Sequence, residues 1–401
     1  MSQNNSTPLP LKGIRVLDLT RVVSGPFCSM ILGDLGAEII KIESPGIGDP
    51  VRKQGEIKNG LSWYFASFNR NKKSVSLNLR SSEGRNIFSK LIAYCDVIVD
   101  NFRPGVLDDM GFSDKTLKSL NSKIIRGSIT GFGTTGPYQD RPAFDFIAQA
   151  ITGFMSLNGS SNGPPQRVGP PISDLVAGLY AALGVVSAIA HRERTGRCIS
   201  TTVSLTGALT SMLGFHAANF LATDKLPSRT GNAHGIVAPY GIFRTKDSEI
   251  AIAPGNDEIY GRLLTALDAN TLSERPEFKT NKLRLQNRDL ICAEVESRTK
   301  KQTTAYWVKV LNDAGVPCGP VNNLRESLIE DPQNADQNAV IKVEHEGHGA
   351  VSMLGPPLQF DNSPLRVSLP APKLGEHTEE ILERIGMNKN DIDRLKSMGA
   401  I

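Results

Sequence analysis

The chain has 401 residues, with 39% apolar and 21% charged residues, a composition that excludes disordered, collagen-like and disulfide-scaffold classes and leaves room for two or three domains. Lysine plus arginine is 45 against 41 aspartates and glutamates, a net charge of +4. Over this length that is no nucleic-acid-binding balance, but it suits an anionic small ligand.

Residues 1–13 (MSQNNSTPLPLKG) have neither a cationic start nor an apolar run, so no signal peptide is expected. Ile14–Leu19 (IRVLDL) predicts a strand, Ser24-Gly25-Pro26 a turn, Phe27–Leu35 a helix and Glu38–Glu43 (EIIKIE) the next strand. This is a βαβ unit, which argues for a parallel sheet. Arg70-Asn71-Lys72-Lys73-Ser74, with Arg80 nearby, reads either as a solvated basic loop or as a cradle for phosphates. The α/β pattern then repeats: helix Ser82–Ala93, strand Asp96–Val99, helix Asp114–Leu120, strand Ile124–Ile129.

Gly131-Phe132-Gly133-Thr134-Thr135-Gly136 fits the dinucleotide pattern G-x-G-x-x-G. That site needs a helix opening on the glycines and an acid about 20 residues on. Tyr138–Pro142 has no helical periodicity, and no acid lies between Phe146 and Ser173. Glycines that let the backbone turn or approach a ligand are the better reading. Residues 156–171 form an ordered loop or lid; the G-x-S-x-G within it, Gly159–Gly163, lacks the strand and helix of a nucleophile elbow. The apolar run Leu175–Ala190 has 16 residues. A membrane span needs about 20, so a buried helix is expected and no membrane partner. A strand at Ile199–Val203 and a helix over 205–222 follow. Residues 223–235 turn polar, a crossing into a second unit with strands Gly241–Phe243 and Ile250–Ile252, then mostly helix to about 315. A strand at Ala339–Val343 and a helix at His377–Ile385 close the chain.

Five scattered cysteines (28, 95, 198, 292, 318) without metal-ligand spacing read as reduced thiols in a cytoplasmic protein, with no metal site. The six histidines form no HExxH pattern; His345 and His348 are expected to be solvated. His234, in Gly231-Asn232-Ala233-His234-Gly235, is either a site residue or a loop-stabilising histidine. Asp174 stands before an apolar helix, where helix capping by itself explains it. A carboxylate there also meets free N–H groups and the positive dipole end, which favour its ionised form. Beside a glycine-rich loop, such a carboxylate is a candidate covalent nucleophile.

LKGIRVLDLTRVVSGP with LGAEIIKIE, then FNRNKKSVSLNL, DNFRPGVLDDMGF, FDFIAQA, SDLVAGLYAA, TGRC and LGEHTEEIL together resemble the family III CoA-transferases, and the likeness runs over nearly the whole chain. This group includes formyl-CoA transferase, carnitine CoA-transferase and the α-methylacyl-CoA racemases. The resemblance implies an α/β fold: a Rossmann-like CoA-binding domain (1–222), a smaller α+β domain (223–330) and a C-terminal segment (331–401) returning to the large domain. It also implies a homodimer of interlocked rings. The implied activity moves CoA between carboxylic acids through an aspartyl anhydride and an aspartyl-CoA thioester, with acyl-CoA as substrate and no permanently bound cofactor. The catalytic aspartate of the family falls on Asp174. CoA contacts carry over to Val23 and Ser24; Leu77, Asn78, Leu79 and Arg80; Asn101, Phe102 and Arg103; and Pro142, Ala143, Phe144 and Asp145.

Departures from the family pattern narrow the reading. Val23 stands where formyl-CoA transferases have glutamine, and Tyr240–Asn256 lacks their glycine-rich insertion. Phe144 stands where racemases have the histidine of their two-base proton transfer. Ser44 and Asp109 replace basic CoA contacts of some relatives. GNAHGIVAPYGIFRTKD and GVPCGPVNN look most like members that use succinyl-CoA or another dicarboxylyl-CoA, with His234, Arg229 or Arg244 meeting the distal carboxylate. The alternatives are a racemase-like CoA-ester enzyme, a non-catalytic acyl-CoA-binding protein, and a nicotinamide enzyme resting on GFGTTG alone.

Overall fold

The computed structural model describes residues 8–361 and 363–401, so the first seven residues of the segment inspected for a targeting signal lie outside it. The chain forms two compact units. One comprises Met1–Phe154, Val168–Ala218 and Pro332–Ile401, the other Met155–Arg167 and Asn219–Asp331. The division differs from the expected one in giving residues 155–167, most of the glycine-rich loop, together with 219–222 and 331 to the second unit.

Six strands of the first unit, β1 (Arg15–Asp18), β2 (Glu38–Glu43), β3 (Lys72–Ser76), β4 (Val97–Asp100), β5 (Ile125–Thr130) and β6 (Thr201–Ser204), pair in parallel in the order β3-β2-β1-β4-β5-β6. This is the doubly wound order, and it reverses between β1 and β4. Apolar residues face both sides, as a parallel sheet covered on two faces requires. Leu17, Ile40 and Ile98 enter one core; Val16, Ile39, Val97 and Val99 enter the other. The period of two along each strand makes this division.

The helices that matter for the site are α1 (Ser24–Asp34), α2 (Trp63–Asn69), α3 (Ser82–Tyr94), α4 (Asp145–Ile151), α5 (Ile172–Thr195) and α6 (Leu205–Ser211). Helix α5 is long and apolar enough to cross a membrane, yet Val176, Ala177, Ala181, Ala182, Val185 and Ala188 are buried in the same core as α1 and the sheet. The helix expected over 205–222 is broken into α6 and a second helix at Gly214–Thr223.

The basic segment Arg70–Ser74 is neither a solvated loop nor a phosphate cradle. It leads into the buried strand β3. Arg70 pairs with Asp34 at 2.6 Å, and Lys73 with Glu38 and Glu380 at 3.0 and 2.7 Å. Lys72 is fully buried and donates to Asp18 (3.2 Å), the Pro26 carbonyl (3.0 Å) and the Asn69 side chain (3.0 Å). Three acceptors satisfy all three ammonium protons. The free edge of β3 is covered by the C-terminal segment: Asn71 N–H donates to the Leu369 carbonyl and His377 N–H to the Ser74 carbonyl.

His345 is also not solvated as expected. It is 3% exposed, its Nδ1 lies 3.0 Å from the Val343 carbonyl, and its Nε2 accepts from Ala371 N–H at 3.2 Å. The second unit has a three-stranded antiparallel sheet, β7 (Gly241–Arg244), β8 (Glu249–Ile252) and β9 (Cys318–Pro320), in the order β9-β8-β7. Its core includes Phe243, Ile250, Leu263, Phe278, Ile291, Trp307 and Leu311.

Candidate active site

Ligands of open α/β sheets bind beyond the carboxyl ends of the strands, where the strand order reverses. A cavity of about 350 Å³ opens at that place in the first unit. Its walls are Arg21–Ser24 after β1, Asn101–Pro104 after β4, and Ile129–Gly131 at the end of β5. Pro50, Gln139, Arg141–Phe144, Asp174 and Leu205 complete it.

The structure thus brings nine expected residues to one pocket: Val23, Ser24, Asn101, Phe102, Arg103, Pro142, Ala143, Phe144 and Asp174. Leu77, Asn78, Leu79, Arg80 and Asp145 do not line it. Leu77 is 1% exposed, so its side chain belongs to the core rather than to a ligand site. Asn78 N–H donates to the Ala400 carbonyl, and Asn78 Oδ1 accepts from Arg80 N–H at 3.1 Å. His234 belongs to the second unit, where its Nδ1 accepts from Ile236 N–H at 3.2 Å and its ring lies 5.0 Å from that of Tyr240.

The glycine pattern 131–136 fails its own test for a nicotinamide site, because no helix opens on it and the next, α4, begins at Asp145. Instead Gly131 lines the pocket, and Thr130 Oγ1 accepts from Gly133 N–H at 2.9 Å, shaping the turn.

Asp174 is the third residue of α5, whose N-cap is Pro171, so it is not the cap residue. The capping carboxylate comes from Asp145, the first residue of α4. Its Oδ1 accepts from Ser173 N–H and Ser173 Oγ–H, both at 2.9 Å, and its Oδ2 from Gln149 Nε2–H at 2.8 Å. Asp145 is therefore buried with both oxygens engaged, and it positions the start of α5. Among the described residues, no hydrogen bond reaches the Asp174 carboxylate. Burial first, and the charge of Asp145 second, push its carboxyl up to about 7, against the expectation that the helix terminus keeps it ionised.

The sign of this shift sets the pH dependence. If the Asp174 carboxylate attacks, kcat/KM rises about tenfold per pH unit below pH 7 and levels above it. Asp145→Asn removes the second cause but not the first, so the acid limb moves down yet stays above the ordinary aspartate range. A pH profile of both proteins checks this; an unmoved limb in Asp145→Asn refutes the charge coupling.

Asp174 is held close to the start of α1. Gly178, one turn along α5, packs so tightly on α1 that a Cβ there would lie 2.5 Å from the Ser24 carbonyl oxygen. On the other side, a Cβ on Gly25 would lie 2.2 Å from Thr20 Cβ, so only glycine lets α1 begin this close to β1. The first turn of α1 has no side-chain cap. Its backbone N–H groups lack intrahelical partners and carry the positive end of the helix dipole. Beside them stand three exposed arginines, Arg21, Arg103 and Arg141. A nucleophilic carboxylate, unpaired N–H donors and cations for anionic groups are the parts that acyl transfer from a phosphorylated thioester needs.

Sequence reading missed Arg21, Val22, Gln139 and Arg141. The rule that ligands meet the carboxyl ends of β1 and β4 reaches Arg21 and Val22 from sequence. Gln139 and Arg141 lie on a loop with no local signal. Tyr64 was also missed: burial, then the charges of Asp174 and Asp49, raise its phenol above the ordinary value.

The sequence signature of CoA-transferase family III matches residues 11–378. The chain is 38% identical over 377 residues to a protein named succinyl-CoA:glutarate CoA-transferase from Homo sapiens, covering 94% of this chain and 86% of the relative. It is 40% identical over 371 residues to one named acetyl-CoA:oxalate CoA-transferase from Acetobacter aceti, covering 92% and 93%. The crystal structure of a CAIB/BAIF family protein from Brucella suis matches with a TM-score of 0.82 at 36% identity, over 94% of this chain and all of that one. Sequence, sheet order and site agree: the chain belongs to CoA-transferase family III.

Proposed function

We propose that this enzyme, which transfers CoA between carboxylic acids, uses a dicarboxylyl-CoA such as succinyl-CoA and carries the acyl and CoA groups on Asp174. The observation that carries the reading is the mostly buried Asp174 carboxyl beside the uncapped start of α1, in a pocket rimmed by arginines. The relatives named for succinyl-CoA with glutarate and for acetyl-CoA with oxalate share a dicarboxylic acid, which supports this substrate class.

The Asp174 carboxylate attacks the thioester carbonyl; the C–S bond breaks, CoA thiolate leaves, and a mixed anhydride remains. The thiolate attacks the aspartyl carbonyl of the anhydride, releasing the donor acid as its carboxylate and leaving an aspartyl-CoA thioester. The acceptor carboxylate attacks that thioester, and the thiolate leaves again. The thiolate then attacks the acyl carbonyl of the second anhydride, giving the new acyl-CoA and free Asp174. Each step carries one negative charge through a tetrahedral oxyanion, and the N–H groups at the start of α1 are its donors. No step takes a proton from Cα. Phe144, 70% exposed at the pocket, offers no base for one, so racemisation is disfavoured.

The reading includes CoA contacts at Val23, Ser24, Phe102, Arg103, Pro142, Ala143 and Phe144, a cytoplasmic location consistent with five free cysteines, and a homodimer. Helices α4, α5 and α6 pack on one another, and Phe146, Ile147, Leu179 and Leu183 on α4 and α5 remain 43–59% exposed. An apolar face of this kind fits a second copy. The test is succinyl-CoA incubated with isotopically labelled succinate, followed by mass spectrometry of the thioester. Label in succinyl-CoA supports the proposal. No exchange with succinate or with a panel of other short dicarboxylates refutes the substrate class.

A further inference from the structure

We propose that Asn101 and Asp49 are positioning residues for CoA transfer, which hold the Arg21–Val22 peptide so that the start of α1 faces the reacting carbonyl; the inference rests on the transferase reading. Motif carry-over makes Asn101 a CoA contact, but the geometry gives its side chain a different task. Asn101 Oδ1 accepts from Arg21 N–H at 2.9 Å, and Asn101 Nδ2–H donates to the Arg21 carbonyl at 2.8 Å. Both ends of the carboxamide are engaged by the backbone of one residue, across the place where the strand order reverses.

The neighbouring groups are held in the same way. Val22 N–H donates to the Asp49 carboxylate at 3.2 and 3.3 Å. The Thr20 carbonyl accepts from the buried Lys41 ammonium at 2.7 Å, which also donates to Asp49 at 3.1 Å. Asp49 N–H in turn donates to Glu43 at 2.9 Å, which ties the clamp to β2. Side chains from three places in the fold thus satisfy consecutive backbone groups of one turn.

The turn needs this support. Val22 has φ +70°, the left-handed region, which a β-branched residue resists. The next residue, Val23, is the uncapped N-cap of α1. The Val22 dihedral therefore sets the direction of the first free N–H groups, which are the proposed oxyanion donors beside Asp174. A misplacement on the order of 1 Å costs about a hundredfold in rate.

The experiment uses Asn101→Ala and Asn101→Asp in the full chain, each with and without Val22→Gly. Succinyl-CoA/succinate exchange gives kcat, calorimetry gives the affinity for free CoA, and hydrogen exchange follows the 19–27 peptide without ligand. Asn101→Ala is expected to lower kcat about ten- to a hundredfold, to leave CoA affinity within about threefold, and to deprotect the Arg21 and Val22 amides. Adding Val22→Gly is expected to restore part of kcat, because glycine adopts the left-handed conformation unaided. Asn101→Asp keeps the acceptor but places a carboxylate against the Arg21 carbonyl, so it too loses kcat. CoA affinity falling in step with kcat, with unchanged amide protection, overturns the proposal in favour of direct contact. A wild-type protein that exchanges no label refutes succinyl-CoA as its substrate, and amide protection then decides the clamp by itself.

Discussion

Asp174→Asn is expected to lower CoA exchange by about four orders of magnitude or more, the usual scale for removing a covalent nucleophile. CoA affinity is expected to stay within about threefold, because the arginines and the backbone donors remain. The same variant should be more stable than wild type at neutral pH. The Asp174 carboxyl is raised from 3.8 to about 7, so the folded state holds a proton that the unfolded chain releases between those values. Wild-type stability therefore falls as pH rises from about 4 to 7, whereas asparagine does not titrate. The gain should be absent below pH 4 and complete above pH 7. A shift of that size corresponds to a ceiling of about 4 kcal/mol; contact of the carboxyl with solvent leaves about 1–2 kcal/mol. Thermal melts of both proteins at pH 4 and pH 8 check the sign. An equal gain at both values contradicts the titration argument, and retained exchange removes Asp174 from the mechanism.

Lys72→Met should destabilise the first unit by about 3–5 kcal/mol, because it leaves the Asp18 carboxylate buried without its ammonium partner. Asp18 and Lys72 are both fully buried. Asp18 also accepts from Thr20 N–H at 2.8 Å and from Ser29 Oγ–H at 2.6 Å. Those donors and the two lysines hold its carboxyl below the usual aspartate range, despite the opposing cost of burial. The double change Asp18→Leu/Lys72→Met removes both charges and should recover most of the loss, since well-packed apolar residues often replace a buried ion pair without penalty. Denaturant unfolding of the three proteins checks this. Equal destabilisation by the single and double changes means that packing, not charge, holds β3 against β1 and β2. The pair also carries the turn toward the site, because Thr20 bonds to Asp18 and Pro26 to Lys72. Loss of exchange is therefore expected to accompany loss of stability.

Strands β1, β2, β4 and β5 and the helices between them were legible because local physics decides them. Apolar runs such as EIIKIE bury side chains on both faces, and turn residues punctuate them. The site was legible by another route. The placing of SDLVAGLYAA after the glycine loops marked Asp174 through resemblance, since an aspartate near a helix start is by itself only a good cap. In the fold that capping belongs to Asp145, 28 positions away from the Ser173 it serves.

Tertiary structure alone decided which charges are buried and what each polar side chain does there. RNKKS reads as a solvated segment until Asp18, Asp34, Glu38 and Glu380 arrive from positions up to 307 residues distant. His345 looked solvated for the same reason, its partner Ala371 being 26 residues on. The partner of the Asn101 side chain was hidden in the same way, because Arg21, whose backbone engages both ends of its amide, lies 80 residues before it. Ionisation of Asp174 followed the same logic, because burial and a neighbouring carboxylate outweigh the helix terminus. Periodicity and turn chemistry are properties of neighbouring residues and can be read along the chain. Desolvation and charge pairing depend on what the fold brings within a few ångströms, and that distance is not written in sequence spacing.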